Sequence, residues 1–220
     1  MTVKAPKELL GHLSPAHHRQ VLDESGITPE IVAERGYYTA RRGSEVPEVF
    51  EDYQRRPGLV IPMYSPDGIT QSYQLRPGRA RKNGPRYETP AGSEVIVDVH
   101  PRMLEEVRDG DEDLWITEGC KKGDSLTSRG LPVISLAGVW MWCVPKARPY
   151  VLKPCFDWVR LDGRTVYVVF DNDVMVKATV QQALEAFVAA LEDRGADVLV
   201  VYLPPGPEKG VDNFLAGGAA

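Results

Sequence analysis

Leu114-Trp-Ile-Thr-Glu118-Gly119 and Val168-Val-Phe-Asp171-Asn-Asp173 are the two stretches that best indicate the fold of this chain. In each, a hydrophobic run typical of a buried strand ends on a carboxylate. If the runs are neighbouring parallel strands, their carboxyl ends bring Glu118, Asp171 and Asp173 into one small volume. Three carboxylates that close repel one another, and a divalent cation with oxygen ligands relieves the repulsion. The two stretches therefore predict a Mg²⁺ site for phosphate chemistry.

Strand-like and helix-like stretches alternate from residue 114 onward. Alternation of this kind predicts a parallel sheet flanked by helices, because parallel strands need crossover connections. Such sheets bind ligands at the carboxyl ends of their strands. The predicted strands are 114–118, 132–136, 165–170 and 197–203, and the predicted helices are about 120–129 and 176–194.

The first part of the chain has a helical pattern. One helix is predicted over about Lys7 to Ser25. A second is predicted to start at Thr28-Pro29, where threonine is suited to cap the helix and proline to occupy its first turn, and to end at Gly36.

Short apolar runs replace the helical pattern between residues 58 and 97. The runs 59–64 and 70–75 are separated by Ser65-Pro-Asp-Gly68, which is a turn signal, and a third run spans 95–97. These features predict a small antiparallel unit. We therefore divide the chain into an N-terminal helical segment (1–56), a small antiparallel α+β subdomain (57–108) and an α/β domain (109–220).

Composition indicates an ordinary globular protein. With 220 residues and 43% hydrophobic residues, the chain can bury one good core or a core with a smaller satellite. The apolar runs are too short to span a membrane, and the N-terminus lacks the apolar segment of a signal peptide. We expect a cytoplasmic protein without a membrane partner. Three cysteines are too few for a disulfide framework and are expected to be reduced.

A basic stretch, Arg76-Pro-Gly-Arg79-Ala-Arg81-Lys82-Asn-Gly-Pro-Arg86, contains five basic side chains and no acid. The formal net charge of the chain is −5, but the distribution of charge matters more for a nucleic-acid partner than its total. The stretch predicts phosphate contacts to a nucleic acid, with Tyr73 or Tyr87 available for base stacking. The alternative is a solvated loop. The predicted nucleic-acid-binding residues are Arg76, Arg79, Arg81, Lys82, Arg86 and Tyr87.

The motifs of the second half resemble the TOPRIM domain of bacterial-type primases, topoisomerases and OLD-type nucleases. They are Thr117-Glu118-Gly119, Lys122-Gly-Asp124, Leu136-Ala-Gly138-Val139 and Phe170-Asp171-Asn-Asp173, in the order and spacing of that family. The resemblance implies a Rossmann-like TOPRIM sheet. It also implies that the glutamate and the two aspartates are catalytic acids that bind Mg²⁺, with Mn²⁺ as a substitute.

Upstream motifs narrow this resemblance to primases. Val60-Ile-Pro-Met-Tyr64, Asp67-Gly68, Gln74-Leu-Arg76 and Arg86-Tyr87 resemble the small subdomain that precedes the TOPRIM module in bacterial-type primases. The tail Lys209-Gly-Val-Asp212-Asn-Phe-Leu resembles the ending found in phage and plasmid primase-helicases. The resemblance implies a mobile-element DNA primase core that makes primers on single-stranded DNA from nucleoside triphosphates.

The chain departs from this family pattern in two respects. A zinc ribbon and a P-loop helicase segment are not found in the sequence, so a helicase is expected on a separate chain or in a missing region. Asn172 replaces the glycine of the usual primase DGD, and Met175-Val-Lys177 replaces the alanine-glycine that follows it. These replacements leave the details of the nucleotide site open.

Further residues are predicted to support the metal or to bind the nucleotide. Lys122 lies near a helix N-terminus suited to phosphate, although a solvated helix face is an equal alternative. Asp124 is expected to act beside the metal without ligating it, and Gly138 to permit a tight turn. Lys209 and Asp212 complete the nucleotide site or cap the last helix. The predicted set is Gly119, Lys122, Asp124, Gly138, Lys209 and Asp212.

Two other functions remain open from the sequence. The same carboxylates can activate water, which would make the protein a metal-dependent nuclease. A module that binds nucleic acid without catalysis is the second alternative. Trp140 and Trp142 are candidate stacking platforms, but packing in the core is favoured for both.

Overall fold

The computed structural model describes residues 10–82, 84–172, 177–206 and 210–217, and this part of the chain forms two sheets with helices. The strands are β1 (Tyr38–Ala40), β2 (Gly58–Tyr64), β3 (Gln71–Pro77), β4 (Asp98–Val99), β5 (Leu114–Glu118), β6 (Val133–Leu136), β7 (Thr165–Val169) and β8 (Asp197–Val201). The helices are α1 (Pro15–His18), α2 (Pro29–Arg35), α3 (Leu104–Asp109), α4 (Cys120–Thr127), α5 (Ala178–Glu192) and α6 (Val211–Ala216). A π-helical segment, Arg19–Asp23, continues α1, and 3₁₀ turns occupy Gly43–Glu45, Pro101–Met103 and Pro154–Trp158.

The large sheet has the strand order β4-β6-β5-β7-β8. Strands β6, β5, β7 and β8 are parallel, and β4 joins the edge antiparallel to β6. Glu118 pairs with Leu136, and Thr117 pairs with Val169. Glu118 and Asp171 therefore leave the sheet at the same edge. The predicted α/β class with a parallel sheet is confirmed.

Helices cover both faces of the large sheet. On one face, Phe187 and Leu191 of α5 pack in a cluster with Ile116, Val168 and the fully buried Trp142. On the other face, α4 and α6 contribute to a second cluster, whose buried members are Leu126, Val133, Val169, Leu203 and Val211. Core packing, the favoured interpretation of Trp142, is therefore correct. Among the described residues, no helix combines the length and apolar character that crossing a membrane requires.

The small sheet consists of β1, β2 and β3 in antiparallel order. Its β2–β3 turn is the predicted Ser65–Gly68 turn, in which the Gly68 amide donates to the Ser65 carbonyl at 2.9 Å. The Asp67 carboxylate stabilises the start of β3 because it accepts hydrogen bonds from the amides of Ile69 and Thr70. The strand–turn–strand prediction is confirmed.

Three local predictions are corrected. The first helix begins at Pro15 rather than at about Lys7, because Ser14 caps it and proline occupies its first turn; residues 7–9 lie outside the described part. Residues 95–97 form no strand, although Ile96 and Val97 are buried, and the adjacent β4 pairs with the large sheet instead. Strand β1 was not predicted, and it lies within the segment expected to be helical. The domain boundaries themselves stay a prediction.

The second helix matches its prediction closely. Helix α2 starts at Pro29 and ends before Gly36, which adopts the left-handed conformation with φ of 82°. Thr28 occupies the cap position, but its side chain makes no capping hydrogen bond.

A buried ionic network joins α2 to the large sheet. The Arg35 guanidinium donates to Asp98 of β4 at 2.8 Å and to Asp124 of α4 at 2.6 Å, and it also donates to the Pro62 carbonyl of β2 at 3.0 Å. The Tyr37 hydroxyl donates to the second oxygen of Asp124 at 2.6 Å. Arg35 is 1% exposed and both aspartates are fully buried. Burial raises the pKa of Asp98, while the charge of Arg35 opposes this rise.

We expect Arg35→Met to lower the free energy of unfolding by about 3–5 kcal/mol, because it leaves two buried carboxylates without their cation. Urea denaturation measures the change. The matched control is Arg102→Gln, which breaks the exposed pair with Glu34 and should cost no more than about 1 kcal/mol. Equal losses in the two variants would show that the network does not hold the structure together.

Candidate active site

A cleft of about 360 Å³ lies where the carboxyl edge of the large sheet meets the small sheet. Residues from several separate parts of the chain line it. They are Glu24 after the π-helical segment, Gln74 and Arg76 of β3, Arg86 and Tyr87 after it, Glu118 to Lys122 at the β5–α4 junction, Ala137 after β6, Asp171 after β7, and Gly210, Asp212 and Asn213 at the start of α6.

The predicted acids Glu118 and Asp171 both line this cleft. Asp171 Oδ1 is buried and accepts no hydrogen bond. The Lys122 ammonium lies 2.6 Å from the same oxygen, which makes an ion pair whose angles do not meet those of a hydrogen bond. Asp173, the third predicted acid, lies outside the described residues.

A relay of polar contacts connects the start of α4 to α6. The Lys121 ammonium donates to Ser25 Oγ at 2.6 Å, and this hydroxyl donates to Asp212 Oδ2 at 2.8 Å. Lys121 lies 4.0 Å from that carboxylate oxygen. The other oxygen, Asp212 Oδ1, is buried without a hydrogen-bond partner. Gly210 occupies the cap position of α6, and the side chain of Asp212 is tied to a lysine of the cleft instead.

The pKa of the Lys121 ammonium is lowered in the cleft. Burial lowers its pKa from 10.5 to about 8, and the nearby positive charges of Arg76 and Arg86 act in the same direction, while Asp212 opposes them. At neutral pH this ammonium is charged but poorly solvated. It is therefore well suited to bind an anion that enters the cleft.

Gly210 leaves space that a side chain would fill. A Cβ on this residue would lie 2.5 Å from Lys122 Cε, 2.8 Å from Asp212 Oδ1 and 3.2 Å from Asp171 Oδ1. Asp171 Oδ1, which pairs with Lys122, and Asp212 Oδ1 therefore both face the space next to Gly210. The absence of a side chain there keeps the two acids and the lysine close to one another.

The predicted nucleic-acid-binding residues divide into two groups. Arg76, Arg86 and Tyr87 line the cleft, and the Arg76 guanidinium lies 5.7 Å from the centre of the Tyr87 ring. Arg81 instead pairs with the buried Glu88 at 3.1 Å, outside the cleft. The residues Arg79 and Lys82 do not line the cleft either.

The predicted supporting residues also divide. Gly119, with φ of 96°, immediately precedes α4 and lies in the cleft together with Lys122. Asp124 is not in the cleft, because both of its oxygens are bound by the Arg35–Tyr37 network. The Gly138 carbonyl accepts a hydrogen bond from the Met141 amide in a tight turn after β6. Lys209 lies outside the described residues.

Sequence reasoning did not find three residues of the site. The sequence predicted a role for Lys122 but not for Lys121. Successive side chains of a helix point about 100° apart, so that two adjacent lysines can contact two different partners. Ser25 and Gly210 carried no recognisable signal, because their importance arises from contacts between distant parts of the chain.

Two acids of this cleft are of the kind that hold Mg²⁺ in proteins. Mg²⁺ is commonly held by one or two carboxylates together with phosphate oxygens and water. Glu118 and Asp171 offer two such carboxylates, and Asp171 Oδ1 is paired with the Lys122 ammonium in this structure. In the part of the chain that the structure describes, no group of three or more His, Cys, Asp or Glu side chains could by itself hold a metal ion. Phosphate oxygens of a ligand would therefore complete the coordination.

The second half of the chain matches a known sequence family. A family model described as a domain of unknown function (DUF3854) matches residues 106–220. No curated protein sequence matches the chain.

Solved structures of bacterial primases are similar to the chain. The zinc-binding and RNA polymerase domains of the Aquifex aeolicus primase align with a TM-score of 0.62 and 15% identity, over 97% of this chain and 57% of that one. The RNA polymerase domain of Mycobacterium tuberculosis primase DnaG aligns with a TM-score of 0.61 and 12% identity, over 94% of this chain and 74% of that one. A DnaG catalytic domain bound to single-stranded DNA aligns with a TM-score of 0.53 and 16% identity, over 96% of this chain and 73% of that one. The fold is therefore that of primase catalytic cores, and the chain spans little more than half of the Aquifex structure.

We expect one lysine to titrate with a midpoint near pH 8, because burial disfavours the charged form of Lys121. Reductive methylation with ¹³C and a pH titration by NMR would detect it, and Lys121→Arg should remove that resonance. Pyrophosphate should move the midpoint upward, since an anion favours the ammonium, and pyrophosphate affinity should fall as the pH rises through the midpoint. A set of lysines that all titrate above pH 10 would contradict this.

We expect Gly210→Ala to weaken pyrophosphate binding about fivefold, because the new methyl group displaces Lys122 and crowds two carboxylates. Calorimetry measures the affinity. Gly78→Ala is the matched control, since its Cβ would meet only the Pro57 carbonyl oxygen at 3.7 Å. Unchanged affinity in Gly210→Ala would mean that the space beside Gly210 is not part of an anion site.

Proposed function

The chain belongs to the family described as a domain of unknown function (DUF3854), and we propose that it catalyses magnesium-dependent nucleotidyl transfer as the core of a DNA primase. Its substrates in this proposal are nucleoside triphosphates and a single-stranded DNA template. The large sheet with its helices is then a TOPRIM domain.

The observation that supports this proposal best is the combination of charges in one cleft. Two strand-end carboxylates, Glu118 and Asp171, lie with four cationic side chains on a fold shared with primase cores. Carboxylate side chains alone suit a metal ion, and cationic side chains alone suit an anion. Their combination suits a metal-bound triphosphate. The cationic residues are Arg76, Arg86, Lys121 and Lys122.

Glu118 and Asp171 are the residues proposed to hold Mg²⁺, with Asp173 as a third candidate from the sequence. When bound, Mg²⁺ supplies a Lewis acid that activates the attacking hydroxyl and neutralises charge on the phosphates. The chain positions these two acids through its backbone, because both leave neighbouring parallel strands at the same edge of the sheet.

The cations of the cleft are proposed to bind the triphosphate. Lys121 is held in place by Ser25, and its poorly solvated charge strengthens its attraction for a phosphate. Arg76 and Arg86 line the same cleft from the small sheet and the segment after it. The phosphates would therefore be held between the two parts of the molecule.

Tyr87 is the proposed stacking partner for a base. Its ring lies in the cleft, with the Arg76 guanidinium 5.7 Å from the ring centre. Aromatic rings stack on bases without strong sequence preference, which suits an enzyme that copies different templates.

The biological setting belongs to this proposal as well. The resemblance of the chain's last residues to phage and plasmid primase-helicases supports a role in the replication of a mobile element. A helicase on another chain or in another region would then supply single-stranded DNA. Of the related structures, one DnaG catalytic domain was solved with single-stranded DNA bound.

Primer synthesis tests the proposal directly. Wild-type protein with single-stranded DNA, nucleoside triphosphates and Mg²⁺ should make short products. Glu118→Gln and Asp171→Asn should each reduce the rate by about a hundredfold or more, because each removes a charged ligand. The matched control is Asp111→Asn, whose carboxylate is 86% exposed, lies before β5 and pairs with Arg160.

Two results would refute this function. Cleavage of labelled DNA without nucleotides, abolished by the same two variants, would identify a nuclease. DNA binding without synthesis and without Mg²⁺ binding in calorimetry would identify a non-catalytic module. A rate that does not change in Glu118→Gln and Asp171→Asn would exclude both residues from catalysis.

A further inference from the structure

The segment between β6 and β7 forms a pocket outside the proposed active site. It encloses about 290 Å³, which is enough room for one nucleobase. Aromatic and basic side chains form most of its wall. They include Trp140, Lys146, Arg148, Tyr150 and Lys153.

The aromatic side chains of this pocket pack against one another, with Trp140 and Tyr150 tilted by 36°. The rings of Trp140 and Tyr150 have centres 4.9 Å apart, and the Arg148 guanidinium lies 4.1 Å from the centre of the Tyr150 ring. Trp142 lies beneath them, 6.2 Å from Trp140, and is fully buried. Since Trp142 packs against Phe187, the hydrophobic core supports the aromatic side chains of the pocket.

The charge of the pocket favours an anion. Among the described residues that line it, three are basic and none is acidic. Lys146 and Arg148 are exposed, and within the described part of the chain neither pairs with a carboxylate. Lys153 is buried and donates a hydrogen bond to the Val95 carbonyl, which fixes the wall of the pocket to the segment before β4.

Lys146 also has an unusual backbone conformation. It adopts the left-handed region with φ of 66°, which is uncommon for a residue with a side chain. Such strain costs free energy and is often found in binding loops. A glycine would relieve it but would remove the positive charge from the rim of the pocket.

A continuous surface connects the pocket to the cleft. A middle depression shares Gln74, Tyr87 and Ala137 with the cleft. The same depression shares Met141, which is 38% exposed, with the pocket. A strand that lies in the cleft can therefore continue along this path and reach the pocket.

We propose that the pocket of Trp140, Lys146, Arg148 and Tyr150 binds a base and its flanking phosphates in single-stranded DNA, at a distance from the catalytic acids. Trp140 and Tyr150 provide aromatic surface for the base. Lys146 and Arg148 neutralise the phosphates on either side. The inference rests on the proposed function for its choice of ligand, and it adds a second anchoring point for the template.

Equilibrium binding tests this site without any catalytic step. Fluorescence anisotropy is measured with labelled oligothymidylate of about 20 nucleotides, in the absence of metal and nucleotides. The double variant Lys146→Gln/Arg148→Gln should bind roughly tenfold more weakly, and the slope of log affinity against log salt should decrease by about 1.4, because two phosphate contacts are lost.

The matched control is Arg160→Gln/Arg194→Gln. It removes the same charge from the amino edge of the large sheet, where both arginines make exposed ion pairs. This variant should keep the wild-type affinity for the oligonucleotide and a salt slope within about 0.7 of the wild-type value.

Photo-crosslinking tests the contact between the pocket and the base separately. The wild-type protein should form a photo-crosslink between 5-iodouracil DNA and Trp140 or Tyr150, mapped by mass spectrometry. The conservative variant Trp140→Phe keeps a ring for packing, so the pocket should stay intact and the crosslink should move to Tyr150.

Wild-type affinity and salt slope in the Lys146→Gln/Arg148→Gln variant, or crosslinks that map elsewhere, would overturn the proposal. The outcome is separate from that of primer synthesis. If the protein makes primers and the variant binds DNA as tightly as the wild type, only the pocket proposal fails. If the protein makes no primers and the variant binds DNA more weakly, the pocket proposal stands and the proposed function fails.

Discussion

The buried guanidinium of Arg35 holds together the two halves of this molecule. It binds one aspartate at the edge of the large sheet, a second on the helix that follows β5, and a carbonyl of the small sheet. A charge removed from water is tolerated only when its partners surround it, so these elements have little freedom to move apart. The relative position of the two sheets is therefore determined by an interaction that lies outside the cleft.

The cleft depends on this arrangement because its walls come from both sides of the network. The acids and lysines belong to the large sheet and its helices, whereas Arg76, Arg86 and Tyr87 belong to β3 and the segment after it. Helix α4 serves both purposes. Its buried Asp124 fixes it to Arg35, and its first turn presents Lys121 and Lys122 to the cleft. The stabilising network and the proposed ligand site thus share one short helix.

Sequence reasoning recovered what depends on local pattern. The hydrophobic runs at β5 and β7 and the acids after them predicted the sheet and the edge at which Glu118 and Asp171 meet. The relation of Asp124 to Arg35 was not predicted, because long-range ion pairs leave no periodic signal. The two-residue strand β4 was missed because it is too short for an alternating pattern. Ser25 and Asp212 are distant in the chain, and only the fold brings them into contact.

The two adjacent lysines of α4 have a consequence for how this family can change during evolution. Lys121 contacts Ser25, whereas Lys122 contacts Asp171, because each residue along a helix rotates the next side chain by about 100°. Replacement of a neighbouring residue leaves this division intact. Insertion or deletion of a single residue between Lys122 and the anchored Asp124 would instead rotate both ammonium groups away from their acceptors. Relatives should therefore vary in residue type around this turn while conserving its length.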